Sequence, residues 1–74
     1  MDFAEQLGKR IRAIRISRGM RQEDLAAKAG ISRTHLSRIE KGRFDMQLVT
    51  LGLVCKGLEV QPDELMRGIK ILDV

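Results

Sequence analysis

The segment QEDLAAKAGISRTHLSRIEK, from Gln22 to Lys41, restricts this chain more than any other stretch. Its apolar residues Leu25, Ala26, Ala29, Ile31, Leu36 and Ile39 mark one inward side, first along a short helix and, past a break, along a second. Gly30 stands at the break, where the backbone can turn left-handed at little cost. Ser32 follows, placed to accept hydrogen bonds from the first free amides of the next helix. Two short helices therefore meet at a tight corner.

The rest of the chain has to supply a core for that pair. Seventy-four residues make one domain, 1–74. A chain this short buries only about 60% of the surface its unfolded form exposes, so a second copy would add useful burial. Apolar residues are 43% of the chain and the aromatics are only Phe3 and Phe44, which makes the core aliphatic. Cys55 has no cysteine partner and lies among apolar residues at helical spacing, so a buried thiol is expected in place of a redox or metal role. With no secretory signal, lipidation motif or run of about 18 apolar residues, the expectation is a soluble cytoplasmic protein with no membrane segment.

Helical spacing predicts an all-α fold of five helices. Phe3, Leu7, Ile11 and Ile14 give the first a stripe from Asp2 or Phe3 to Arg18, closed by Gly19. The second runs from Gln22 to Ala29 with a weak start, because Arg21 caps poorly; the third runs from Arg33 to Lys41 behind Ser32 and stops at Gly42. Asp45 is the expected cap of a fourth helix from Met46 to Lys56, closed by Gly57, and Gly52 within it marks a candidate close approach of another backbone. Pro62 opens a fifth helix carrying Leu65, Met66 and Ile69, and Ile71, Leu72 and Val74 either extend it or form a loosely held tail.

A tight pair of this kind reads as a helix-turn-helix, whose second member can enter a DNA major groove. Charge agrees: residues 1–43 carry eleven Lys or Arg against five Asp or Glu, whereas residues 44–74 carry three against five. A basic half points to a polyanionic partner, although the same residues also serve to keep an outer helical face solvated. On the third helix Arg33, Thr34, Ser37, Arg38 and Lys41 occupy surfaces left free by Leu36 and Ile39. Arginine pairs bidentately with guanine, and threonine bonds a base edge or touches a thymine methyl, so Arg33, Thr34 and Ser37 are candidate reading residues. Arg38, Lys41 and Arg43 fall as phosphate or outer-base contacts, and Gln22 with the first amides of its helix as a phosphate contact.

Arg15 and Glu40 each lie near the apolar stripe of their helix, and the pattern predicts a partly buried bidentate ion pair tying the first helix to the third; two unrelated surface charges are the alternative. His35 is the only imidazole and has no ligand or catalytic partners, leaving a phosphate-edge or base-edge contact or a plain surface residue. Phe44 either anchors its loop to the core or lies against DNA. No catalytic residue, metal centre or cofactor is expected: paired carboxylates, a nucleophile with its base and a phosphate-cradling loop are all missing from the sequence.

The run GMRQEDLAAKAGISRTHLSRIEKG resembles the Cro and phage-repressor superfamily of helix-turn-helix proteins, from Leu7 to Leu65. Arg15, Gly19, Gln22, Leu25-Ala26, Gly30, Ile39, Glu40 and Gly42 carry the likeness. It implies a compact five-helix, lambda-repressor-like domain and a homodimer on double-stranded DNA with a near-palindromic operator. It also implies that Gln22 bonds DNA and that Arg15 and Glu40 pair internally. QEDLA, ISRTHLSRIE and LVTLGLVCKGLEV, with the small size and no effector or protease-cleavage domain, are more narrowly similar to the controller proteins of restriction–modification systems. That likeness implies action on the protein's own promoter and the endonuclease promoter, and a dimer face from Met46 onward, which takes in Leu48, Leu51, Leu58, Val60, Leu65 and Ile69. His35 stands where such proteins often have an aromatic residue, and Phe44 where a DNA-contacting arginine can occur.

These readings converge on a dimeric transcriptional regulator whose two recognition helices enter successive major grooves about 34 Å apart, with room for two dimers on tandem sites. Glu23 and Asp24 are candidates for an RNA polymerase contact, by analogy with acidic surfaces of related activators. A phage-type repressor or an antitoxin silencing its own promoter is the rival within the class. A protein-interaction module is the rival outside it.

Overall fold

The computed structural model describes residues 1–43 and 46–72. Five helices follow one another: α1 Phe3–Ser17, α2 Gln22–Ala29, α3 Arg33–Glu40, α4 Leu48–Leu58 and α5 Pro62–Leu65, with no strand among the described residues. Helix α2 lies against α4 and α3, α1 crosses α3, and α5 closes the core beside α4 and α1. The centre is aliphatic: Ile11, Leu25, Leu36, Val54, Leu58 and Leu65 are fully buried. Cys55 sits among them, 4% exposed, and burial pushes its thiol pKa up. No described helix is long and apolar enough to cross a membrane.

Each helix begins where a side chain or carbonyl can serve free amides. The Asp2 carboxylate accepts from the Glu5 N–H at 2.8 Å while Glu5 reaches back to the Asp2 N–H, a reciprocal cap at the start of α1. Arg21 supplies no cap to α2, in line with its poor propensity, and Asp24 compensates by accepting the Arg21 N–H at 2.8 Å. That N–H holds the Asp24 carboxyl below its ordinary pKa, so the cap is intact above the usual carboxylate range and is lost as pH falls through the lowered value. Ser32 Oγ accepts the His35 N–H at 3.0 Å and fixes the start of α3.

The corner between α2 and α3 turns on Gly30, at φ 73°. Ile31 N–H bonds the Ala26 carbonyl at 3.0 Å and Gly30 N–H the Ala27 carbonyl at 3.3 Å, the paired bonds of a Schellman ending. The same pair of bonds ends α4, but there the left-handed residue is Glu59, at φ 59°. Helix α4 thus runs two residues past the expected Lys56 and does not stop at Gly57. Gly57 has another use: a Cβ there would stand 2.8 Å from Leu25 Cδ1 and 3.3 Å from Ala29 N, so it lets α4 lie close on α2. Gly52, the expected site of close approach, has nothing within 4 Å of such a Cβ.

Other boundaries also move. Helix α4 starts at Leu48, two residues after the expected Met46, because Met46 packs on the core from an irregular segment and Gln47 is extended. The expected cap Asp45 and the expected anchor Phe44 lie outside the described residues, as does Val74. Helix α5 ends at Leu65 and includes neither Met66 nor Ile69; Gly68, at φ 83°, turns the chain away. The segment beyond is held to α1 by Gln6, whose amide accepts the Lys70 N–H at 3.0 Å and donates to the Lys70 carbonyl at 2.9 Å. Ile71 and Leu72 remain exposed. Phe3, placed on the core stripe of α1 by its spacing, is 38% exposed.

Two residues expected at a dimer face belong instead to the subunit's own core. Leu58 and Leu65 are 0% exposed, covered by the helices of the same chain. Leu51, Val60 and Ile69 are partly buried against that core, and Leu48 is open at 82%.

Helix α1 crosses α3 at Gly8, where an added Cβ would run into the Ile39 carbonyl oxygen and stand 2.7 Å from that of Glu40. Backbone carbonyls cannot swing aside as side chains do. Gly8→Ala is expected to destabilise the fold by about 2–3 kcal/mol through overpacking, read as a lower urea midpoint with an unchanged slope.

Candidate nucleic-acid interface

The apolar side of α3 seals Leu36 and Ile39 inside, which turns the opposite side outward. Arg33, Thr34, Ser37 and Arg38 of α3, with Lys41 and Arg43 just past its end, line one open concavity. Arg33, Thr34, Arg38, Lys41 and Arg43 are exposed and Ser37 is half-buried. Arg43 is kept near the helix by its N–H bond to the Arg38 carbonyl at 3.0 Å, part of the turn at Gly42. Four cations and two hydroxyls therefore share a shallow surface. Such a surface can neutralise phosphates with its cations and offer hydroxyl and guanidinium groups to base edges.

A second concavity adjoins the first through Arg33 and is lined also by Arg15, Met20, Arg21, Gln22 and Glu23. Gln22 opens α2 here, and its Nε2 donates to Glu40 Oε1 at 3.1 Å. Arg21 lies outermost, paired with Glu23 at 3.1 Å and with Asp24 at 3.4 Å, both on exposed side chains. These surface pairs contribute little to stability, but they set acidic groups beside the basic concavity. His35 is half-buried and does not line the concavity with its α3 neighbours.

At the second concavity Arg15 reaches inward to Glu40 in a bidentate pair, Nε to Oε2 at 2.7 Å and Nη2 to Oε1 at 3.0 Å. Their side chains are 9% and 2% exposed. The third arginine nitrogen, Nη1, donates to the Met20 carbonyl at 2.9 Å and so holds the α1–α2 turn. Spacing alone placed these two charges on facing stripes. What it missed is the Gln22 bond, which makes the pair a three-residue network; a polar residue opening α2 beside a buried carboxylate was the signal available.

The family described as Helix-turn-helix matches residues 11–65, and the chain belongs to it. It is 38% identical over 60 residues to the control protein C.BamHI of Bacillus amyloliquefaciens, covering 80% of this chain and 74% of that one. It is 44% identical over 55 residues, 74% of this chain, to the immunity repressor protein of Bacillus phage phi105, of which it spans only 38%. The crystal structure of the restriction–modification controller protein C.Esp1396I, a tetramer in complex with its natural 35 base-pair operator, superposes with a TM-score of 0.84 at 34% identity. That superposition covers 90% of this chain and 88% of that one. Within the helix-turn-helix family the likeness is thus to restriction–modification controller proteins over most of both chains.

Removing one member of the buried pair strands the other charge in the core. Arg15→Ala and Glu40→Ala are each expected to cost about 3–5 kcal/mol, whereas replacing both with apolar residues of similar volume costs far less. Chemical denaturation of the three variants measures the difference.

Proposed function

We propose that this protein is a dimeric, sequence-specific DNA-binding transcriptional regulator, working in the cytoplasm as the controller protein of a restriction–modification system on its own promoter and the endonuclease promoter. The observation that carries this reading is the exposed concavity in which Arg33, Thr34, Ser37, Arg38, Lys41 and Arg43 converge on the outer side of α3. Binding needs no cofactor and no catalytic step. Counterions released by the cations drive association, and base-edge bonds from Arg33, Thr34 and Ser37 select sequence.

A dimer sets two such surfaces on successive grooves of a near-palindromic operator. Leu48 and Val49, 82% and 73% exposed at the start of α4, are the apolar side chains best placed to join two copies, with half-buried Leu51 beside them. Likeness to the operator-bound C.Esp1396I tetramer supports a second dimer on a tandem site. The acidic rim of Glu23 and Asp24 is the surface through which RNA polymerase would be engaged when the regulator activates. A phage-type repressor is the second reading, favoured by the 44% identity to the phi105 immunity repressor. A reporter driven by the upstream promoter separates them: activation at low dose followed by repression fits the controller, and repression at every dose fits the phage type.

Titration against duplexes from the DNA upstream of the gene, at several salt concentrations, tests the core of the proposal. Lys41→Ala is expected to weaken binding evenly across sequences and to lower the slope of log K against log salt by about 1. Arg33→Ala is expected to cost about 1–3 kcal/mol on the preferred site and to flatten base preference at one position. Affinity indifferent to both salt and sequence would rule the reading out. Leu48→Glu combined with Val49→Glu is expected to shift the protein to a monomer by sedimentation and to abolish tight operator binding.

A further inference from the structure

The Glu40 carboxylate is spent on two partners of different kinds. Both of its oxygens hold Arg15, and Oε1 also accepts the Gln22 Nε2 hydrogen at 3.1 Å. An ionised carboxylate only accepts, so the end of the Gln22 amide that faces it must be the NH2 end. An exposed glutamine flips freely between donor and acceptor, whereas a flip here would set the amide oxygen against the carboxylate. One N–H is engaged, and one N–H and the carbonyl oxygen are left on a side chain that lines the concavity shared with Arg33.

From this geometry we infer that Glu40 is a positioning residue for DNA recognition: held by Arg15, it locks the Gln22 amide so that one donor and one acceptor are presented to the nucleic acid. The inference rests on the DNA-binding reading above and deepens it. Glu40 itself is sealed inside, 2% exposed along its side chain, behind the more open Gln22. Its effect travels through one hydrogen bond. Arg15 acts one step further back, and because its Nη1 also fixes the Met20 carbonyl, the turn leading to Gln22 is held by the same guanidinium that holds Glu40. An amide oriented before DNA arrives loses less conformational freedom on binding than a mobile one.

A double-mutant cycle on operator affinity tests this, with wild-type protein, Gln22→Ala, Glu40→Gln and the double variant titrated by fluorescence anisotropy against a labelled duplex from the upstream DNA. Gln22→Ala is expected to weaken binding about tenfold, the scale of a hydrogen bond to a charged group. Glu40→Gln, which keeps the shape but offers its own amide to Arg15 and Gln22, is expected to lose most of the same factor, and the double variant no more than the larger single loss. Multiplicative losses would overturn the inference, as would a Gln22→Ala variant that binds as wild type does. Wild-type protein indifferent to salt and sequence would sink the DNA-binding reading and this inference with it.

Should Glu40→Gln not fold, the free wild-type protein answers through the side-chain amide of Gln22 in its nitrogen-15 spectrum, assigned by its loss in Gln22→Met. A bonded proton displaced from the exposed-amide region and protected from exchange is the expected result. Two protons at exposed-amide positions, exchanging freely, would overturn the positioning role.

Discussion

The buried pairing of Arg15 with Glu40 is the interaction on which this small domain turns. One guanidinium reaches the end of α3 through two bonds and the α1–α2 turn through a third. It does so beside the crossing at Gly8, where α1 lies against the carbonyls of Ile39 and Glu40. With a Cβ at position 8 the helices would have to stand farther apart, which would pull the two charges out of bidentate geometry. Such a pair adds little net stability against its desolvation cost. Its geometric effect is to link α1, the α1–α2 turn and the end of α3 through one guanidinium, and an arrangement that broke those bonds would leave a buried charge unpaired.

That division of labour explains which parts could be read from residues and which could not. The α2–α3 corner was legible because its determinants are local: a left-handed glycine, a serine two residues on, and apolar spacing that breaks between them. The ion pair was legible because charged residues on apolar stripes need partners. Gly8 and Gly57 were not, since nothing in a helix's own sequence says which neighbour will cross it, and Gly52 looked equally suitable while facing open space. Glu59 in a left-handed turn is likewise silent in sequence, since the bonds that hold it depend on where α4 ends. Leu58 and Leu65, which the likeness to controller proteins puts on a dimer face, lie in the subunit's own core, because an apolar stripe does not say whose core it enters and tertiary packing decides.

The candidate site followed the same rule. Outward residues of α3 were predictable once Leu36 and Ile39 were known to face inward, because eight helical residues leave few directions free. Arg43 joins them from beyond the helix through a bond at the Gly42 turn, which helical periodicity does not describe. His35 falls between the two sides and is half-buried, so its position on the helix alone did not decide its role.

A consequence for how such a surface evolves follows from the separation of layers. Arg33, Thr34, Arg38, Lys41 and Arg43 are exposed and contribute little burial, so they can change with small cost to the fold. Gln22 is different, because its amide bonds a carboxylate that also holds the helices together. Substitution is therefore cheap on the outer side of α3 and expensive at the start of α2. The exposed residues of α3 and the amide tied to the buried network thus belong to different layers of two adjoining eight-residue helices, one free to vary and one held by the core.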